Sequence, residues 1–238
     1  MIPPKTKPRL KYVKTFLAVI RQGRFYFCPI YDSIHYFCSA NRKDPSSEGK
    51  KTIASVIMWF TGWKLAVDPK DERVRHCVLV AAPHTSNWDL LHAIAALWKL
   101  GIPVRFLIKD SYLKNPFTRP VIKWLGGIGV SRTQKNNLVD YTACLLEKDP
   151  ELVIMLAPEG TRSRVEQWKT GFYKIAMKAG VPIGIAFLDY REKKAGLLGF
   201  INPGGNYAQD LAIIEEFYKG VTAKKPEKWN PHFSEPAK

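Results

Sequence analysis

Four residues separate His84 from Asp89 in the segment HTSNWD, and a histidine with a carboxylate at that spacing can act as a base. If Ser86 or Asn87 caps a helix, Asp89 falls in the first turn while His84 stays in the loop before it. The chain then folds back far enough for the carboxylate to reach one imidazole nitrogen. Such a contact fixes the tautomer, stabilises the imidazolium and leaves the other nitrogen free to take a proton from a substrate hydroxyl. The alternative is a first-turn acid favoured by the helix dipole beside an ordinary loop histidine. A second segment, APEGTRS from Ala157 to Ser163, joins a permissive backbone at Gly160 and a hydroxyl at Thr161. Its Arg162 can fork onto a phosphate through two charge-assisted hydrogen bonds. Glu159 can orient that arginine or bind substrate hydroxyls; as a solvated surface pair the two would contribute at most about 1 kcal/mol. A third segment runs from Gly126 and Gly127 through IGVSR to Arg132, where the alternative is a pair of C-cap glycines and a solvated arginine.

The first two segments each follow a strand-like apolar run, and the third contains one. Cys77 to Ala82 precedes His84, with a helical pattern from Trp88 to Leu100 closed by Gly101. Val104 to Ile108 is followed by a helix ending near Leu125, and a short strand precedes Arg132. Leu152 to Leu156 precedes APEGTRS, with a helix from about Trp168 to Ala179, and another strand runs from Pro182 to Leu188. Leu197 to Phe200 adds a short strand, and Asn206 to Lys219 a final helix with Asn206 as cap and Gly220 as stop. Apolar strands alternating with amphipathic helices predict an α/β fold with a mixed, mainly parallel sheet flanked by helices. Ligands in such sheets sit at the carboxyl ends of the strands.

Three parts are expected: residues 1–52 as a basic, aromatic extension with linker, 53–220 as the catalytic domain, and 221–238 as a basic tail. Seven basic residues and no acidic one lie between Lys5 and Arg24, followed by Phe25, Tyr26, Phe27, Tyr31, Tyr36 and Phe37. The polar segment from Ser39 to Lys51 reads as the linker. Ile53 to Leu65 then carries Trp59, Phe60 and Trp63, either as membrane-interface anchors or as core. The 238 residues and 46% hydrophobic content suffice for a sizeable core and exclude wholesale disorder. No run approaches the ~20 apolar residues of a membrane span, and the apolar island Phe16 to Ile20 is too short for a secretory leader. Cys28, Cys38, Cys77 and Cys144 lack the pairing of a zinc site or a disulfide framework.

Together the segments resemble the PlsC-like glycerolipid acyltransferases, also called the lysophosphatidic acid acyltransferase family. His84-x4-Asp89 with Ser86 is similar to that family's HxSxxD block, Gly126 to Arg132 to its G-x5-R block, Glu159 to Ser163 to its EGTRS, and Val181-Pro182-Ile183 to its VPI. Lys169, Thr170 and Gly171 match the residues that usually follow EGTRS, and the resemblance covers about Ile53 to Phe217. It departs at Pro83, where the family usually has Asn, and at Gly129, Val130 and Ser131. The resemblance implies acyl transfer from acyl-CoA or acyl carrier protein to a glycerol hydroxyl, with no metal, no cofactor and no covalent acyl-enzyme. His84 would be the general base and Asp89 its partner. Arg132 and Arg162 would grip the acceptor phosphate, with Ser86, Lys109, Glu159, Gly160 and Thr161 in the substrate site; His92 is expected to be structural.

A net charge of +16 suits an acidic donor and an anionic membrane surface holding a lysophospholipid acceptor, which places the protein peripherally on the cytoplasmic membrane face. No nucleic-acid signature accompanies the charge. Glycerol 3-phosphate, another lysophospholipid or an amino-acid lipid would need the same base, and a thioester hydrolase differs only in using water. The rival of another class is a non-catalytic basic module that binds membrane or nucleic acid.

Overall fold

The structure is a computed structural model. It describes residues 20–21, 24–25, 47–66, 71–130 and 138–234, with backbone alone at the first two pairs. Ile20–Arg21 (β1) and Arg24–Phe25 (β2) pair antiparallel. The rest of the basic and aromatic extension, up to residue 46, lies outside the described residues.

Helix α1, Ser47–Thr61, begins inside the expected linker and runs across the expected boundary at Ile53. The polar residues there are its first turn: Lys51 pairs with Glu48 at 3.0 Å, and the Thr52 hydroxyl donates to the Glu48 carbonyl. One turn further on, Ala54 and Met58 are buried, so a polar start precedes an amphipathic face.

Strands Lys64–Leu65 (β3) and Cys77–Ala82 (β4) follow, then helix Trp88–Lys99 (α2) and strand Val104–Lys109 (β5). The single helix expected after β5 is two, Ser111–Lys114 (α3) and Thr118–Leu125 (α4). The break falls at Asn115-Pro116, where proline disfavours helix for the residue before it and the Asn115 side chain accepts from the Phe117 N–H. Gly126 closes α4 at φ 102°, and a Cβ there would strike the Val104 carbonyl at 2.5 Å. Strand Gly127–Val130 (β6) comes next, so Gly127 starts a strand rather than ending a helix.

Helix Leu138–Lys148 (α5) has no counterpart in the sequence expectations. Its buried stripe includes Thr142, whose hydroxyl donates to the Leu138 carbonyl, so a polar residue interrupts the apolar pattern. The chain continues through Val153–Leu156 (β7), Gly171–Ala179 (α6), Ile183–Asp189 (β8), Lys194–Ile201 (β9) and Tyr207–Phe217 (α7). Helix α6 starts three residues later than expected, because Trp168 is spent in an aromatic stack on Phe233. Asn206 caps α7 as its sequence predicts, accepting from the Gln209 N–H.

The sheet has the order β3-β9-β8-β4-β7-β5-β6. Strands β8, β4, β7, β5 and β6 run parallel, while β9 is antiparallel to β8 and parallel to β3. This is the mixed, mainly parallel sheet that the sequence predicts. Its central strand divides the core by alternation: Val78, Val80 and Ala82 face the layer of α5, α6 and α7, and Cys77 and Leu79 face α1 and α2. Residues 221–234, the described part of the expected basic tail, pack partly against the domain. Ala223, Trp229 and Phe233 are buried in the first of those cores while Lys224 and Lys225 stay outside.

Candidate active site

Four strands that neighbour one another, β4, β7, β5 and β6, end at the same edge of the sheet. Register pairs Val80 with Leu156 and Lys109 with Val130. His84 leaves β4 two residues after its end, Glu159 to Arg162 leave β7, and Lys109 is the exposed last residue of β5. Arg132, two positions past β6, lies outside the described residues.

The loop from His84 is held by two carboxylates. Asp89 is 3% exposed, and its Oδ2 accepts from the Thr85 and Ser86 N–H groups, both at 2.7 Å. The same oxygen lies 3.3 Å from His84 Nδ1. Asp89 therefore serves both roles weighed from the sequence, first-turn acceptor and imidazole partner. The cap residue is Asn87, without a side-chain bond, and Ser86 Oγ accepts instead from the Trp88 N–H. Burial would raise the Asp89 carboxyl, but hydrogen bonds from His84, Tyr190 and the two N–H groups outweigh it and hold the acid below its ordinary range. With Nδ1 turned to Asp89, His84 Nε2 has no protein partner among the described residues, and the side chain is partly open to solvent.

Glu159 occupies a place the sequence did not indicate. Instead of reaching Arg162, both its oxygens accept from the His84 N–H, at 2.9 and 3.1 Å, and the residue is 4% exposed. Burial pushes its carboxyl up to about 7, against the opposing effect of that N–H and of His84. Gly160 has φ 65°, a left-handed turn that favours glycine, and the flexible Lys169 side chain lies over it. Thr161 Oγ1 accepts from the Ser163 N–H. Arg162 is exposed and unpaired among the described residues, one strand from His84.

Tyr190 escaped the sequence reading. It leaves β8, the other neighbour of β4, and its hydroxyl donates to Asp89 Oδ1 at 2.7 Å. The strand-exit logic that found His84 and Arg162 applies equally at the end of β8. Trp63 stacks on His92 at 4.5 Å, and His92 Nδ1 lies 3.0 Å from the Trp88 carbonyl, which gives His92 the structural place expected of it. Of the three aromatics weighed as anchors or core, Trp63 is core at 7% exposure, whereas Trp59 and Phe60 are 78% and 79% exposed. The C-terminal segment also borders the site, with the Lys225 N–H donating to Thr85 Oγ1 and Lys224 lying over the Trp88 ring.

Residues 64–184, half of the chain, match the family model described as Acyltransferase. The chain belongs to the acyltransferase family. A probable 1-acyl-sn-glycerol-3-phosphate acyltransferase of Mycoplasma pneumoniae is 26% identical over 140 residues, which are 55% of this chain and 51% of the relative. The chain thus spans about half the length of the curated relative it matches. The crystal structure of the 1-acyl-sn-glycerophosphate acyltransferase PlsC from Thermotoga maritima superposes with a TM-score of 0.52 at 18% identity, over 79% of this chain and 84% of that one. This family member therefore shares its fold with PlsC, and both segments that carry the described site, HTSNWD and APEGTRS, lie inside the family match.

Proposed function

We propose that this acyltransferase moves a fatty acyl group from acyl-CoA or acyl carrier protein to the hydroxyl of a lysophosphatidate-like glycerolipid, with His84 as general base. The observation that carries the reading is the state of His84: Nδ1 faces a buried carboxylate, Nε2 is open, and the unpaired Arg162 stands one strand away. Nε2 takes the proton from the acceptor hydroxyl as its oxygen attacks the thioester carbonyl. Collapse of the tetrahedral intermediate forms the ester and breaks the carbon–sulfur bond, and the leaving thiolate receives the proton from His84. Asp89 stabilises the imidazolium between those steps. General-base help contributes about 10²- to 10⁴-fold, and positioning by the acceptor phosphate supplies a further share. Arg162 and Arg132 hold that phosphate, with Lys109, Ser86, Gly160 and Thr161 around it. Glu159 acts one step back, on the backbone of His84.

No helix among the described residues is long and apolar enough to cross a membrane. The acceptor is reached from an anionic cytoplasmic leaflet, onto which the basic chain docks with Trp59 and Phe60 at the interface. The test is incubation of purified protein with labelled acyl-CoA or acyl carrier protein and a panel of lysolipids and glycerol phosphates, beside His84→Ala. Ester formation lost in the variant is the expected result. Free fatty acid as sole product would indicate a hydrolase, and no turnover by folded protein on vesicles would favour the binding module.

A further inference from the structure

We propose that Tyr190 is a positioning residue of this site: its hydroxyl locks the Asp89 carboxylate and tempers the charge that Asp89 presents to His84. The role rests on the reading of His84 as the base. Asp89 uses one oxygen, Oδ2, for the Thr85 and Ser86 N–H groups and for His84 Nδ1. The other, Oδ1, accepts from Tyr190 at 2.7 Å. A carboxylate bonded on both oxygens cannot swing about its last torsion, so the tyrosine fixes the oxygen that meets the imidazole.

The tyrosine is itself held from three directions. Trp63, after α1, meets its ring edge-on at 4.8 Å, and His92 of α2 lies 6.0 Å away. Lys224 sits over the ring at 5.7 Å, and the Tyr190 N–H donates to the Thr222 carbonyl at 2.9 Å. Asp189 ties down the turn that follows by accepting from the Arg191 and Glu192 N–H groups. A tyrosine needed only for packing would have no cause to aim its hydroxyl at a buried charged group. Burial, and then Asp89 itself, push ionisation of this phenol far above its ordinary value, so it remains a donor throughout the working range.

The electrostatic consequence has a sign. A donor on Oδ1 withdraws charge from the carboxylate; removing it leaves more negative charge facing His84, which favours the imidazolium. The ionisable groups facing these residues are Asp89 and Glu159 at His84, His84 and Tyr190 at Asp89, and His92 and Lys224 at Tyr190, with Lys193 acting on His92. Losing the phenol hydroxyl removes one of the hydrogen bonds that lower the Asp89 carboxyl and takes no charged side chain from the set.

Tyr190→Phe is the test, read in two ways. In NMR titrations without substrate, with the His84 imidazole signal assigned through His84→Gln, the His84 midpoint moves to higher pH in the variant. In turnover, kcat falls about tenfold with KM little changed, and the acid limb of kcat/KM moves to higher pH, as expected when one hydrogen bond to a charged group is lost. Trp63→Phe, which keeps the hydroxyl, lowers Tm but leaves the His84 midpoint in place. Fluorotyrosine-labelled protein, whose phenols donate more strongly, moves the midpoint the other way and serves if Tyr190→Phe does not fold. An unmoved midpoint in folded Tyr190→Phe or in the fluorotyrosine protein overturns the proposal. Absence of turnover by the wild type with every donor and acceptor overturns the reading of function instead, while the NMR arm still decides the role of Tyr190.

Discussion

Glu159 carries a conflict that its sequence neighbours conceal. Its oxygens hold the His84 N–H, which favours the anion, yet the residue is buried and its carboxyl is pushed up to about 7. An acid whose folded value lies above its unfolded value of 4.5 binds more protons when folded, so stability is present at low pH and is lost as pH rises from about 4.5 to about 7. The full loss is of order 3 kcal/mol. Glu159→Gln keeps an acceptor for the His84 N–H and removes the titration. We expect its stability relative to the wild type to grow between pH 4.5 and 7 and to level off above, as measured by urea unfolding across that range. A constant difference would mean that the carboxylate is solvated well enough to ionise normally. Activity should fall further in His84→Gln than in Glu159→Gln: the first removes the open nitrogen, at a cost of about 10²- to 10⁴-fold in kcat, and the second only loosens its support.

At the scale of elements, the strand exits are what the sequence shows most clearly. Runs such as Cys77 to Ala82 and Leu152 to Leu156 contain almost nothing but apolar residues because both faces of the sheet are covered, and each is followed at once by polar chemistry. His84, Asp89, Glu159 and Arg162 were singled out as candidates this way, and the parallel part of the sheet was read from the same runs. What stayed hidden depends on contacts distant in sequence. The bond from Tyr190 to Asp89 spans 101 positions, and that from Glu159 to the His84 N–H spans 75. The C-terminal segment was only partly legible for a related reason: its lysines are visible in composition, whereas the fit of Phe233 onto Trp168, with ring centroids 3.7 Å apart, is a matter of folding. This segment also binds the loop after β7, because Arg164 donates to the Trp229 carbonyl and to Asn230 Oδ1. Phe233→Ala should therefore cost about 3 to 5 kcal/mol in stability, read as a fall in Tm. Truncation after Gly220 should cost more, since it exposes Trp168 and frees the loop that carries Arg162.

At the scale of the whole molecule, the exposed aromatics are unevenly placed. Trp59 and Phe60 on α1, Trp88 on α2, and Phe117 and Trp124 around α4 all present apolar surface to solvent, and these helices adjoin one another: α1 lies against α2, and Trp124 meets Trp98 at 4.8 Å. The layer of α6 and α7 exposes only Met177 and Ile213 among the described large apolar residues. A net charge of +16 draws such a surface to anionic lipid, each nearby Lys or Arg contributing about 1 kcal/mol, while inserted aromatics supply attraction that salt does not screen. The two contributions separate experimentally. Raising salt from about 0.1 to 0.5 M shortens the screening length and should release most of the protein from anionic vesicles. Trp59→Ser combined with Phe60→Ser should weaken vesicle binding about tenfold at any salt, equivalent to losing part of the burial of two large side chains. Both residues face solvent, so Tm should stay within a degree or two of the wild type. If they hold the site at the leaflet, turnover of a membrane-resident acceptor falls with vesicle binding, while turnover of a short-chain acceptor free in solution is preserved. Equal loss on both acceptors would place these aromatics in the catalytic fold rather than at the membrane.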